Sequence, residues 1–422
     1  MNNKDQYKIL LTGIGIFALL CSSCSKNKDR IPPQIQITHP AIQSSFSYNE
    51  TLTVRADVSD DIRLEEVIIE LVSSTDLRVL YYSVLHPDIS TYTFEQNIPL
   101  LDRYWESGKM FVRVTANDGF NTALQIKEFY YNELPRMNHN EWRVVQNPQS
   151  YFILNLQDEV IHTEYLEYVC GGYEPRTEKF WIAHGDGSLI SRALWNETSL
   201  SSFMLGSKPT TSHYSEEYEK FFIGCENGAI WSWQNGSIQG FREAEDSKVK
   251  AITSCNDLIY VWREEPVTGQ DFIAVYRLEN GTIINSIVAE NELTAITKFN
   301  NDKIIVAANV NGVATFGFVE AYSSAITQNY TQTEITSVQN LWPSLTGGIF
   351  ALQEIGLISY NQDLTAMQTI QGIRPSKIIT DLAGQEYRMI TQEGVYRLNS
   401  QHEGQLISSK QNIIDYLIIY NK

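Results

Sequence analysis

Three groups of residues in this chain have the types that could do chemistry: thiols, histidines with carboxylates, and aromatic rings. Of the five cysteines, Cys21 and Cys24 close an apolar run in "ALLCSSCSKNKD", whereas Cys170, Cys225 and Cys255 sit in the strand-like segments "YVCGG", "FIGCENG" and "ITSCND". The last three show no CxxC pair and no histidine spacing, so they suit neither a zinc site nor a redox pair, and buried thiols are the expected state. The seven histidines, at 39, 86, 139, 162, 184, 213 and 402, are scattered without an HExxH pattern, and no GxSxG occurs. No pair of carboxylates stands out for acid–base work on a glycosidic bond.

Aromatic rings are the better prospect, because sugars stack on exposed indole and phenol faces. Trp195 in "ALWNETS" and Trp342 in "NLWPSL" have loop-like settings and lead the ligand-binding candidates; Trp262 is a further indole of the same type. Trp231 and Trp233 share one strand face in "IWSW", a pattern that packing between sheets explains. Arg263, with Glu264 and Glu265, belongs to a longer hairpin, "VWREEPVTGQDF", and extended loops on a rigid scaffold commonly serve recognition.

The elements that must position these residues are strands. The chain has 422 residues, too many for one ordinary domain, and is rich in tyrosine (23) and phenylalanine (17). Its net charge of −18 repels phosphate backbones, and no local basic patch offsets it, so nucleic acid is excluded as a partner.

The first 23 residues read as a secretory signal: Lys4 and Lys8, an apolar centre from Ile9 to Leu20, then Ser22 and Ser23 before Cys24. That centre is too short to span a bilayer. Ser23–Cys24 resembles the lipobox of bacterial lipoproteins, which implies cleavage before Cys24, acylation of its thiol and stable outer-membrane anchoring. Cys21 follows bulky Leu20 and fits less well; the alternative is an ordinary signal peptide with an incidental cysteine. Residues 24–30 then form a tether, similar to the start of surface-exported lipoproteins of the Bacteroidota, although Asp29 alone represents their acidic signal.

Residues 31–134 contain seven short alternating runs separated by turn signals, the pattern of a β-sandwich. "VRADVSDD" and "VRVTANDGFNTA" resemble two strands of bacterial immunoglobulin-like modules, which implies a spacer. Asp60, Asp61 and Asp118 have the type of calcium ligands, but turn chemistry alone also calls for them.

Beyond residue 140 the chain repeats. Gly187, Gly228, Gly269, Gly312, Gly356 and Gly394 recur at intervals of 38 to 44 residues, each in a polar turn between apolar strands. A phosphate-cradling loop would need a helix afterwards, and a strand follows instead. Four strands per repeat is the pattern of propeller blades. Six repeats plus three strands before residue 166 and one after residue 411 give a seven-bladed β-propeller over 140–422, closed by both termini. The first strands supply Thr211, His213, Lys250, Thr253, Thr294, Thr297, Thr336, Lys377, Thr380 and Asp415, a dilute polar lining.

This resembles WD-like and quinoprotein-like propellers in period and strand order, without the WD dipeptide or the tryptophan docking motif, so no function follows from it. The expectation is therefore an all-β protein, an immunoglobulin-like sandwich followed by a propeller, with no metal or cofactor. It is held to the membrane by its lipid and acts as a non-catalytic binding or scaffolding protein for an envelope protein. Surface glycan binding is the first alternative and a propeller hydrolase or lyase the second.

Overall fold

The computed structural model describes residues 30–420 except 76, 194–199, 216–217, 301–302, 312, 324, 332–336, 371, 382 and 400. Cys21, Cys24, Trp195, Gly312 and Thr336 therefore lie outside the described residues. All regular elements among the described residues are strands, and the chain divides after Pro135 into two compact units.

The first unit has eight strands: β1 Gln34–His39, β2 Ser45–Ser47, β3 Thr51–Leu64, β4 Glu66–Ser73, β5 Val79–Leu85, β6 Ile89–Pro99, β7 Gly108–Asn117 and β8 Thr122–Asn132. One sheet has the order β1-β3-β6, the other β2-β8-β7-β4-β5. Period-two alternation decides which side chains meet: Leu52, Val54, Ala56 and Val58 of β3 point inward, as do Val112, Val114 and Ala116 of β7, and both sets enter one core. Burying each such valine or leucine stabilises the unit by about 1.5–3 kcal/mol. Asp118 serves its turn, and Asp60 lies inside β3 where the pairing register shifts between Ser59 and Leu64. The Asp60 carboxylate accepts the Ile62 and Arg63 N–H groups at 2.9 Å, and Asp118 accepts those of Phe120 and Asn121 at 2.6 Å.

Among the described residues, the second unit shows seven four-stranded sheets. Six are sequential meanders over residues 168–204, 209–242, 248–288, 293–331, 338–370 and 377–408, called here sheets one to six. In the closing sheet, Ile413–Tyr420 pairs antiparallel with Asn138–Asn147, which continues into Ser150–Leu154 and Val160–Glu164. The second strands, such as Leu258–Glu264 and Ile349–Gln353, are almost wholly buried, and for that reason they read as unbroken apolar runs. The fourth strands Ala366–Ile370 and Gly404–Ser408 are mostly exposed and mark the outer rim.

Alternate residues of each sheet face opposite neighbours. Ile259 and Val261 pack back on Phe222 of sheet two, while Tyr260 packs forward with Ile304 and Val306 of sheet four. The same sharing links sheets one and two, four and five, and five and six. The closing sheet shares cores with both neighbours, through Ile413 and Tyr416 against Ile390 of sheet six, and through Leu417 and Ile419 against Phe180 and Ile182 of sheet one. The succession of sheets is thus cyclic, with the strand order of a β-propeller.

The hairpin glycines earn their place by backbone geometry. Gly228 has φ +83°, and a Cβ there would come within 2.6 Å of the carbonyl oxygens of Glu245 and Ser247.

A buried polar latch fastens the closing sheet to sheet six. Arg388 donates to Glu141 at 2.6 Å and to Asp381 at 3.2 Å, and the Tyr416 hydroxyl donates to Glu141. Burial pushes the Glu141 carboxyl up, but the hydrogen bonds from Arg388, Tyr416 and Asn138 and the Arg388 charge together hold it below the usual range.

Candidate functional site

The innermost strand of each sheet brings polar side chains toward the centre of the second unit. Asp415, on the C-terminal strand, receives the Lys377 ammonium of sheet six and the Tyr168 hydroxyl of sheet one, each at 2.6 Å. Both carboxylate oxygens are occupied, and the group is 2% exposed, so it ties three sheets together rather than standing ready as a base. Burial, then the Asp415 charge, raises the Tyr168 hydroxyl well above its ordinary value and keeps it a proton donor.

His213 of sheet two has its Nε2 2.8 Å from the Ser254 hydroxyl of sheet three. Burial, assisted by the Lys298 charge, pulls its pKa from 6.5 to about 4. His184 is enclosed between the Tyr151 hydroxyl at 3.0 Å and the Ser188 hydroxyl at 2.9 Å, and burial lowers it as well. The Cys170 and Cys225 thiols are pushed up to about 12 by burial and stay protonated. Among the described residues, no group of three or more His, Cys, Asp or Glu could hold a metal ion.

A pH prediction follows from His213. Its folded pKa lies below its unfolded value, so the unfolded chain binds the extra proton between pH 6.5 and about 4. Stability is fully present above pH 6.5 and falls across that window, by about 2 kcal/mol after allowance for the partly exposed ring. Urea unfolding of His213→Asn should show a flatter dependence between pH 6.5 and 4 than the original chain; an equal slope contradicts the assignment.

Two of the sequence candidates, Trp342 and Arg263, lie among the buried residues of the second unit. Trp342 is 9% exposed and packs with Phe350, Leu352 and Tyr387 across sheets five and six, so its ring faces are covered. Arg263 is 0% exposed. Its guanidinium donates to the Ser247 hydroxyl at 2.8 Å, pairs with Glu245 at 3.1 Å and lies 5.7 Å from the centre of the Tyr276 ring. It lies inside the strand Leu258–Glu264 instead of belonging to the hairpin after it. Trp195 lies outside the described residues. Trp231, Trp233 and Trp262 are spent internally, their indole N–H groups donating to the Leu205 carbonyl, Glu174 and Asp271.

Sequence reasoning missed two open depressions on the glycine-hairpin side. One, of about 630 Å³, lies over sheets three to five, with Trp262, Lys250, Glu264 and Asp271 in its lining. There the Lys250 ammonium covers the Trp262 ring at 5.6 Å and pairs with Glu264 at 2.5 Å. Asp271 accepts from Trp262 at 2.7 Å and from the Leu293 N–H at 2.9 Å, and burial raises its carboxyl. The other, of about 890 Å³, lies at the seam between the closing sheet and sheet one and is lined by Asn147, Gln149, Tyr165, Glu167, Asp186 and Ile414, among others. Tyr165, between two strands in "HTEYLEY", carries no local sign of this role.

No family model and no curated protein matches the chain. Solved structures similar to it include the dihydro-heme d1 dehydrogenase NirN in complex with DHE (TM-score 0.42, 10% identity, covering 67% of this chain and 79% of that one). Others are BBS1N in complex with ARL6DN (TM-score 0.39, 12% identity, 60% and 86%) and apo AztD from Citrobacter koseri (TM-score 0.42, 9% identity, 67% and 98%). At these values no residue role and no ligand carries over to this chain.

Proposed function

We propose that this chain is an envelope lipoprotein, tethered through acylated Cys24, whose residues 31–134 form an immunoglobulin-like spacer. Residues 140–422 form a seven-bladed propeller that binds a partner without chemical turnover. The observation that carries the reading is the cyclic sharing of cores by seven sheets, which makes a rigid platform for the hairpin loops. Asp415, His213 and His184 support the non-catalytic part, because all three have internal hydrogen-bond partners. A lipid tether and a spacer suit a protein that presents such a platform away from the membrane.

Fractionation of cells expressing Cys24→Ala and Cys21→Ala tests the address. Cys24→Ala should move the protein from the membrane to the soluble fraction and abolish palmitate labelling, while Cys21→Ala should leave both unchanged. Release by Cys21→Ala alone overturns the choice of cysteine, and release by neither overturns the lipid tether. The platform is tested by affinity capture from detergent-extracted envelope, where a stoichiometric partner is the expected result.

A further inference from the structure

The seam depression combines features that one ligand chemistry satisfies. Tyr165 stands in its lining 79% exposed, a large ring left open to solvent. Leu166, Val169 and Ile414 supply half-buried apolar surface beneath it. Around them lie the carboxamides of Asn147 and Gln149, which both donate and accept, and the carboxylates of Glu167 and Asp186, which accept. The volume, about 890 Å³, is ample for a small-molecule ligand.

We propose that this depression binds a neutral, polyhydroxylated ligand, a short stretch of uncharged glycan, with one sugar ring stacked on Tyr165 and its hydroxyls shared among Asn147, Gln149, Glu167 and Asp186. The proposal rests on the binding reading above and names its ligand class. A sugar ring offers an apolar C–H face and a rim of hydroxyls, which matches an open phenol ring bordered by mixed donors and acceptors. A phosphate, sulfate or uronate fits poorly, because the lining holds two carboxylates and no lysine or arginine. The nearby Lys208 is committed to Glu167, at 3.0 and 3.2 Å.

A cationic ligand meets a single unneutralised carboxylate in this lining, that of Asp186. Glu167 is paired with Lys208, and the Asp186 carboxylate already accepts the Ser188 hydroxyl at 2.6 Å and the Ser188 N–H at 2.9 Å. A wholly apolar ligand would strip water from the carboxamides without replacing it. The depression over sheets three to five lacks the open ring, since Lys250 covers Trp262 there.

The test is calorimetric titration of the full chain in detergent with neutral gluco-, manno- and galacto-oligosaccharides and with polygalacturonate. Saturable binding of a neutral oligosaccharide is expected, weakened about tenfold or more by Tyr165→Ala and kept within about threefold by Tyr165→Phe. Because Tyr165 is exposed, both variants should unfold at the original temperature. Binding unchanged in Tyr165→Ala, preference for polygalacturonate, or no binding of any neutral oligosaccharide overturns the proposal and leaves the platform reading to its own capture experiment. New reducing ends in the titrated sugar would sink the non-catalytic reading itself.

Discussion

Deleting residues 412–422 should unfold the second unit instead of trimming it. The strand Ile413–Tyr420 places Ile413, Tyr416 and Ile418 in the core shared with sheet six, and Leu417 and Ile419 in the core shared with sheet one. At about 1.5–3 kcal/mol for each large apolar side chain, the loss is on the order of 10 kcal/mol, comparable with the whole stability of an ordinary domain. Asp415, which joins Lys377 to Tyr168, leaves with the strand, and the edge of Asn138–Asn147 is exposed. Calorimetry of the truncated chain should therefore show no cooperative transition for the second unit, while the first keeps its own, having a separate core. A midpoint within 2 °C of the original, a shift of about 1 kcal/mol or less, contradicts the cyclic packing. Met367→Ala is the matching control: that residue is 64% exposed on an outer strand, and its removal should cost less than about 0.5 kcal/mol.

Arg388→Met has the second-largest expected effect. The substitution keeps most of the side-chain volume but leaves the buried Glu141 and Asp381 without their cation. Breaking a buried pair from one side typically costs about 3–5 kcal/mol, chiefly through the charge left behind. Glu141 fixes the pH dependence. Its carboxyl is held below the usual range in the folded chain, so its stabilisation is present above the ordinary glutamate value of 4.5 and is lost as pH falls through the folded value. Arg388→Met should thus be most damaging at neutral pH and approach the original chain on acidification. In a double-mutant cycle, adding Glu141→Gln to Arg388→Met should recover part of the loss, because one stranded charge is gone. A neutral-pH cost below about 0.5 kcal/mol would show that the latch carries no stability.

The parts of the fold legible in the sequence are those governed by short-range periodicity. Leu52, Val54, Ala56 and Val58 alternate with polar residues because one face of their strand is solvated, while Ile349–Gln353 is continuously apolar because both faces are covered. The glycines at 187, 228 and 269 marked hairpins because each has a positive φ.

The candidate site was much less legible. Trp342 reads as a loop residue because Pro343 follows it, yet that proline ends an inner strand, a position where a missing N–H is tolerated. Arg263 reads as part of a charged loop; its partners Glu245 and Ser247 come from the preceding connection, which no local pattern reveals. The seam depression gathers residues 146–149, 165–169, 185–186 and 414, and the pairing of the two ends of the unit brings 414 to the others. Asp415 was visible as a polar inner-strand residue, but its tie to Tyr168 spans the same seam.

The central claim is that this platform holds its ligand without changing it. The most direct test is to load the full chain with a neutral oligosaccharide it retains, elute after prolonged incubation, and measure the mass and reducing ends of the eluted sugar. Recovery of the intact oligosaccharide, with retention lost in Tyr165→Ala, is the predicted result. Shortened or unsaturated products formed at a rate proportional to protein concentration would contradict it and return the chain to the hydrolase or lyase reading.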